Sequence, residues 1–155
     1  MEILLVLGFP LLGAALLAMV GAKHYAAEIN VATSLATLLA AALLVLRIIR
    51  HGPMTAWNEE FFIDPLNVFL VALTALVGFT TSVFSRPYMR IEANQGRLTP
   101  GRLRLYHSMY QLFMAAMLLA LTTNNMGFMW VAMEMATLST VLLVSLYRTR
   151  GSIEA

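Results

Sequence analysis

Glu134 is the residue of this sequence with the clearest chemical potential. It lies near the middle of a long apolar run, Met126 to Tyr147. A charged residue at the centre of a membrane helix costs about 2.5–3.5 kcal/mol on insertion scales. The carboxyl group avoids this cost either by staying neutral or by pairing with a basic group or a polar cavity. A group poised between these two states suits proton transfer, which we predict for Glu134. The structural alternative is a protonated glutamate with a packing role.

Helical spacing places several small or polar side chains on the face of Glu134. They are Gly127, Trp130, Thr137 and Ser145, at positions i−7, i−4, i+3 and i+11. Thr137, one turn after the acid, is therefore a candidate to support proton transfer at Glu134.

Histidines are the next group of interest. His24, His51 and His107 all lie near predicted helix ends, where histidines are usually solvated. The sequence predicts no metal site, since no cysteine or histidine-rich motif is present. His107 differs from the other two because Ser108 and Gln111 follow it closely. As a further candidate site residue, His107 would lie at the mouth of a proton path. In the alternative, it belongs to a plain belt of polar side chains at the membrane interface.

Asp64 immediately precedes Pro65 at the start of a predicted helix. Aspartate is a favoured N-cap residue and proline a favoured first helical residue. We therefore interpret Asp64 mainly as a helix cap at the membrane edge, with a proton-transfer role as the alternative. Asn67, one turn later, either supports this cap or lines a polar path.

The composition determines which kind of scaffold holds these residues. Of the 155 residues, 60% are hydrophobic and 12% are charged, whereas soluble domains average about 45–50% and 25%. Arginines are scattered between apolar runs, which suits membrane topology rather than nucleic-acid binding. Phosphate-binding loops and nucleophile motifs are absent from the sequence. It predicts a protein of the lipid bilayer that binds no nucleic acid and no metal.

Five apolar runs are long enough to cross a hydrocarbon layer of about 30 Å. They predict an all-α polytopic membrane protein with a single domain, 1–155, and five spans at about 3–21, 29–49, 65–85, 105–123 and 126–147. Gly8 and Gly13 are expected to permit close helix contacts, and the Ser, Thr and Ala content of the second span favours helix packing.

Two connections are predicted around these spans. Pro87 is expected to end the third helix, leaving a short amphipathic piece at about 88–93 on the membrane surface. Asn124 and Asn125 are expected to form a tight turn between the last two helices. Trp57, in the loop after the second span, is predicted to anchor at the membrane interface.

The distribution of basic residues predicts the orientation. Arg47 and Arg50 fall on one side of the membrane. The other side receives Lys23, Arg86, Arg90, Arg97, Arg102, Arg104, Arg148 and Arg150. Because loops rich in Lys and Arg stay in the cytoplasm, we predict an outside N-terminus and a cytoplasmic C-terminus.

Three motifs carry a resemblance to a known family. They are "IDPL" at Ile63 to Leu66, "TTNN" at Thr122 to Asn125, and "MWVAMEMATLS" at Met129 to Ser139. With these motifs, nearly the whole chain resembles the N-terminal part of the antiporter-like subunits of complex I and its relatives. Within that superfamily it most resembles the hydrogenase-4 F-subunit type of membrane-bound hydrogenase and formate hydrogenlyase-like complexes.

The resemblance implies a role for Glu134 and a set of partners. Members of the family have about fourteen membrane helices and carry, at the place of Glu134, an acid that pairs with a lysine of a later helix. This pairing is implied to control proton movement driven by redox chemistry elsewhere. Implied partners are other membrane subunits and a peripheral hydrogenase or dehydrogenase module, in a bacterial or archaeal cell membrane. The subunit itself is implied to bind no redox cofactor and to catalyse nothing alone.

The chain also departs from the family pattern. Its single lysine, Lys23, lies in a loop, so the lysine partner of Glu134 is missing. We expect the sequence to be the N-terminal portion of a longer subunit, through truncation, a split gene or a partial sequence. Two alternatives stay open: a subunit of a multisubunit Mrp-type cation/proton antiporter, and an inactive remnant or scaffold.

Overall fold

Helices dominate the computed structural model, which describes residues 1–96 and 98–147. In these ranges the helices are α1 (Glu2–Val20), α2 (Ala26–His51), α3 (Pro65–Asn94), α4 (Pro100–Thr122) and α5 (Met126–Val144). A hairpin of β1 (Met54–Ala56) and β2 (Phe61–Ile63) links α2 to α3, and a 3₁₀ turn, Ser145–Tyr147, follows α5. All five helices are long and apolar enough to cross a membrane, which confirms the predicted fold class.

Helices α1 to α4 form a four-helix bundle, and α5 packs against α4. Contacts at one end of the bundle fix its antiparallel order. Arg86 Nη2, near the end of α3, lies 2.8 Å from Glu28 Oε1 near the start of α2, and Arg90 pairs with the same carboxylate. A Cβ atom on Gly21, after α1, would lie 3.0 Å from the Cα of Arg104 in α4. We call this the basic end of the bundle.

Most of the basic residues that the sequence groups on one side therefore come from segments that meet at the basic end. Three of them lie outside the described residues: Arg97, Arg148 and Arg150. At the opposite end, Glu2 at the start of α1 pairs with Arg47 near the end of α2. Which end faces the cytoplasm stays a prediction.

An apolar core fills the bundle at the end opposite the basic end, beside the hairpin. Its residues come from the start of α1, the end of α2, strand β2, the start of α3 and the end of α4. They are Ile3, Val6, Ala40, Ala41, Leu44, Ile48, Phe61, Ile63, Val68, Val71, Ala75 and Leu118. Small residues in α2 let it pack closely on α1 and α3, as the composition of this span predicts.

The two glycines of α1 behave differently. A Cβ atom on Gly13 would lie 2.5 Å from Thr33 Cγ2 of α2, so only glycine fits this crossing. The predicted close contact is confirmed at Gly13, but it is not found at Gly8, where no atom of residues 1–96 or 98–147 lies within 4 Å of a Cβ position. At 3.6 residues per turn, Gly8 points about 140° away from Gly13, and so away from α2.

The prediction that Pro87 ends the third helix is wrong. Helix α3 continues through it to Asn94, although proline removes one hydrogen bond from a helix interior. Residues beyond the proline are anchored to the bundle, since Met89 is buried and Arg90 pairs with Glu28. Residues 88–93 therefore extend α3 instead of forming a separate surface piece.

Helix α4 begins earlier than predicted, at Pro100. Thr99 is its N-cap, with the side-chain oxygen 3.4 Å from the backbone nitrogen of Arg102. Threonine followed by proline is a favourable helix start. The earlier start adds more than a turn before position 105, which matters for His107.

The hairpin was not predicted, because strands of three residues are too short to show an alternating pattern. Met54 pairs with Ile63 and Ala56 with Phe61. The connecting loop holds Trp57, Asn58 and Glu59 at φ values of 54°, 52° and 69°, a region that non-glycine residues rarely occupy. Contacts from the α4–α5 turn, described below, hold this loop.

Candidate functional site

The turn between α4 and α5 is fastened to the hairpin. The backbone nitrogen of Asn124 donates to Glu60 O at 2.7 Å, and its side-chain amide donates to Glu59 O at 3.0 Å. Asn125 Nδ2 donates to Glu60 Oε2 at 2.6 Å, while Asn125 Oδ1 accepts from the backbone nitrogen of Gly127 at 2.8 Å. The predicted tight turn is confirmed, and these contacts set where α5 leaves the bundle.

Glu134 lies eight residues after the first residue of α5 and ten before the last. At 1.5 Å per residue it is about 12 Å from the helix start, near mid-membrane depth. Its side chain is exposed, and within residues 1–96 and 98–147 its carboxylate forms no hydrogen bond or ion pair. The hydroxyl of Thr137 donates to the backbone oxygen of Glu134 at 2.9 Å rather than to the carboxylate.

The face of α5 that carries Glu134 is apolar and uncovered. Trp130, Leu138 and Val141, at i−4, i+4 and i+7 of Glu134, are 65%, 63% and 62% exposed. Only Ala132 and Ser139 of this helix are buried. Ionisable residues inside membranes almost always face a partner or a polar cavity. The acid therefore calls for a partner that the described residues do not supply.

His107 is buried, with 1% of its surface exposed. The expectation of a solvated side chain is confirmed for His24 and His51, which are exposed, but is wrong for His107. Because α4 begins at Pro100, His107 lies about two turns inside the helix and not at its end. It borders a cavity of about 450 Å³ at the basic end, together with Lys23 and Arg90.

Helix α4 forms polar contacts with each of its three neighbours in the bundle. The Ser108 hydroxyl donates to Ala14 O of α1 at 3.1 Å. The Tyr110 hydroxyl donates to Gly78 O of α3. Gln111 contacts α2, as described next. An interfacial belt would leave these side chains exposed, so the plain-belt interpretation of this segment is wrong.

Gln111 Nε2 lies 2.8 Å from Asn30 Oδ1 and 2.9 Å from Ser34 Oγ. The Ser34 hydroxyl in turn donates to Asn30 O at 2.9 Å. Asn30, Ser34, His107 and Gln111 are all buried, and we call these four residues the buried polar cluster. Sequence reasoning missed Asn30 and Ser34, although their spacing of four residues, matched by His107 and Gln111, is a usable signal.

Asp64 caps α3, as predicted. Its Oδ1 accepts from the backbone nitrogen of Asn67 at 2.7 Å, and Pro65 is the first helical residue. Asn67 Nδ2 donates to Phe62 O at 3.2 Å, so this side chain also supports the cap. The interactions of Asp64 are those of a helix N-terminus.

The candidate residues do not form one site. His107 lies inside the bundle, Glu134 lies on the uncovered face of α5, and Asp64 lies at the hairpin end of α3. No group of three or more His, Asp or Glu residues that could hold a metal ion occurs in the part of the chain that the structure describes.

These features define the class of the protein. Five membrane-crossing helices among the described residues, an acid at mid-membrane depth and buried interhelical polar contacts characterise a polytopic integral membrane protein.

Comparison with known proteins refines this class. The chain is 41% identical over 147 residues to the "Hydrogenase-4 component F homolog" of Methylacidiphilum infernorum (isolate V4). The matched region is 95% of this chain but about 30% of that relative. No family model matches the chain. The resemblance to the hydrogenase-4 F-subunit type is confirmed, as a similarity over nearly the whole chain to about 30% of the length of that relative.

Proposed function

We propose that the chain forms part of a proton-translocating, antiporter-like membrane subunit of a hydrogenase-4, formate hydrogenlyase-type or complex I-related complex. The observation that carries this proposal is Glu134, an acid at mid-membrane depth on an uncovered helix face. The similarity to a hydrogenase-4 component over nearly the whole chain supports it.

The proposed chemistry follows from the surroundings of Glu134. A carboxyl group among apolar side chains favours its neutral form, since burial away from water penalises the charge. A cationic side chain brought beside it favours the ionised form and releases the proton. Movement of such a partner toward and away from Glu134 would therefore load and unload one proton. The partner belongs to a segment that covers the exposed face of α5.

In this proposal Thr137 and Asp64 support Glu134 and transfer no proton themselves. The Thr137 hydroxyl donates to the Glu134 backbone, and its oxygen lone pairs stay available to accept a hydrogen bond from the protonated carboxyl group. Asp64 fixes the start of α3 and contributes through structure. His107 belongs to a different region of the bundle.

We also propose partners and a location. A later helix of the same subunit would cover α5, other membrane subunits would surround it, and a peripheral hydrogenase or dehydrogenase module would perform the redox chemistry, so that this chain needs no cofactor of its own. Segments rich in basic residues meet at one end of the bundle. In a bacterial or archaeal cell membrane, the positive-inside rule would place that end in the cytoplasm, with the N-terminus outside.

The test is Glu134→Gln in the full-length protein within its complex. Glutamine keeps the shape of the side chain but cannot release a proton, so redox-driven proton transfer should be lost while assembly and hydrogen or electron-transfer activity persist. Glu59→Gln, which removes an exposed acid of the hairpin loop, is the matched control and should behave as wild type. Undiminished proton transfer in Glu134→Gln would refute the proposal.

The same membranes distinguish the alternatives. A subunit of an Mrp-type antiporter would exchange cations for protons without any hydrogenase or dehydrogenase subunit co-purifying. An inactive remnant or scaffold would support neither activity, and Glu134→Gln would change nothing. Similarity to a hydrogenase-4 component favours the hydrogenase-type complex over both.

A further inference from the structure

Two polar atoms of the buried polar cluster have no hydrogen-bond partner within the described ranges. They are His107 Nδ1 and Gln111 Oε1, in side chains that are each 1% exposed. The orientation of the Gln111 amide follows from its surroundings: Asn30 O, Asn30 Oδ1 and Ser34 Oγ all lie within 3.1 Å of Nε2. The amide nitrogen has two hydrogens to share among these acceptors, whereas an oxygen in its place would only be repelled by the Asn30 backbone oxygen, so Oε1 is the atom left without a partner.

Buried polar atoms are almost always paired with protein or with ordered water. His107 and Gln111 are four residues apart on α4, so they lie on the same helix face with Cβ atoms about 5–6 Å apart. Side chains on one helix face at this spacing can share a hydrogen-bond partner. A buried water typically forms about three hydrogen bonds to groups of this kind.

An open cavity lies beside this position. His107 borders the cavity of about 450 Å³ at the basic end, which is also lined by Lys23, His24, Arg90 and Asn94. This volume exceeds the share of a single water molecule in the liquid, about 30 Å³, more than tenfold. Lysine, histidine, arginine and asparagine side chains provide hydrogen-bonding groups along the wall.

We propose that the cavity and the buried polar cluster form one hydrated pocket, in which water bridges His107 Nδ1 and Gln111 Oε1. The pocket reaches from the basic end to Ser34 and ends where α2 presents Ala40 and Ala41 to the apolar core. It gives His107, inside the bundle, proton exchange with the aqueous phase at the basic end. This inference does not depend on Glu134 or on the function proposed above, because it concerns α1 to α4.

A simpler role for these side chains would be interhelical adhesion. Hydrogen bonds between membrane helices contribute to association without any water. Adhesion explains Gln111 Nε2 and Ser34, whose partners are present. It does not explain two unpartnered atoms on one face beside a cavity, and hydration does.

Thiol accessibility distinguishes the two roles, and the 155 residues contain no cysteine. Ser34→Cys would report inside the pocket, and Ala41→Cys, two turns later on α2 and fully buried in the apolar core, would be the matched control. The full-length protein in membrane vesicles would be treated with a small, water-soluble methanethiosulfonate reagent. The unsubstituted protein would report background labelling.

We expect Ser34→Cys to react at least about tenfold faster than Ala41→Cys. The reagent reaches position 41 only when the apolar core opens, whereas a hydrated site needs no such opening, and a tenfold ratio corresponds to about 1.4 kcal/mol. Asn94→Cys, at the exposed mouth of the cavity, should react fastest. Equal rates at positions 34 and 41, or no reaction at position 34 while position 94 reacts, would overturn the proposal.

A second pair of variants tests the role of His107. In the Ser34→Cys background, His107→Leu should slow the reaction at least tenfold because it removes the polar nitrogen at the neck of the pocket. His107→Gln, which stays polar, should keep the rate, and so should His24→Leu, which alters the same cavity at an exposed residue. An unchanged rate in His107→Leu, in protein that inserts and assembles normally, would also overturn the proposal.

Discussion

The interior of the four-helix bundle and the outer face of α5 differ in whether a polar side chain finds a hydrogen-bonding partner. In the bundle, Gln111 reaches Asn30 and Ser34 of a neighbouring helix within 2.9 Å. On α5, Glu134 stands among apolar side chains without a partner in residues 1–96 and 98–147. The bundle satisfies the Gln111 amide nitrogen with its own residues and borders a cavity that can hold water for the rest, whereas α5 presents a carboxyl group that only another segment can satisfy.

This difference separates stability from function. A polar group with an internal partner stabilises the helix packing around it, and its loss affects the fold. A polar group without one disfavours its own place in the membrane, so folding gives no reason for its presence. The residues that matter most for the bundle are therefore not those to which we assign the proposed proton transfer.

The largest expected effect is on insertion of α5. Replacing Glu134 with leucine should favour insertion of this helix by about 3 kcal/mol, since it removes the cost of an acid at the helix centre. A glycosylation reporter on the isolated segment measures this equilibrium. Met133→Leu, at an exposed apolar neighbour, should change little. If Glu134→Leu also changes nothing, the acid does not lie at hydrocarbon depth and the contrast with the bundle fails.

Inside the bundle, Gln111→Leu should destabilise the fold by about 1–3 kcal/mol, because Asn30 Oδ1 loses its donor in a buried place. The free energy of unfolding in mixed detergent micelles measures this loss. Met117→Leu, a volume-conserving change on the same helix, is the control and should cost less than about 1.5 kcal/mol. Equal stabilities for wild type and Gln111→Leu would show that the buried polar cluster does not hold α2 to α4.

The glycines of α1 offer a similar contrast between covered and open positions. Gly13→Ala should cost about 1–3 kcal/mol because its Cβ meets Thr33. Gly8→Ala should be neutral or stabilising by up to about 1 kcal/mol, because alanine is the better helix former where space is open. The same unfolding measurement ranks the two variants, and a reversed order would place the α1–α2 contact on the wrong face.

The smallest expected effect concerns the turn between α4 and α5, which connects the bundle to α5. Asn125→Ala should destabilise the start of α5 by about 1 kcal/mol, because it removes the N-cap. It also removes the contact with Glu60. Amide hydrogen exchange at Gly127 and Phe128 should become faster, whereas Asn125→Ser, which keeps a capping oxygen, should stay close to wild type. Unchanged exchange in Asn125→Ala would mean that packing on α4 alone positions this helix.

Much of this architecture is predictable from the sequence, for identifiable reasons. Length and apolarity predict the five membrane helices, and local chemistry predicts the Asp64 cap and the Asn124–Asn125 turn. These features depend on residues that are neighbours along the chain. The end of α3 was mispredicted because tertiary contacts of Met89 and Arg90 outweigh the local effect of Pro87.

The candidate site residues also differ in whether neighbouring residues along the chain or tertiary contacts determine them. The exceptional position of Glu134 is evident from the sequence, because an acid in an apolar run needs no structure to be noticed. The burial of His107 and its proximity to Asn30 and Ser34 depend on the pairing of α2 with α4. No pattern within a single segment encodes that pairing, so the hydrated pocket emerges only from the fold.

The length of α3 has a consequence for where water meets this protein. Its 30 residues extend about 45 Å at 1.5 Å per residue, against about 30 Å of hydrocarbon. If the Asp64 cap marks one membrane surface, the crossing is complete near residue 84, just before the first arginine of the helix. The last three turns of α3 then lie among the lipid headgroups on one side of the membrane. The cavity beside Met89 and Arg90 therefore opens at the depth of the headgroups. In the proposed pocket it connects the membrane surface to the buried polar cluster.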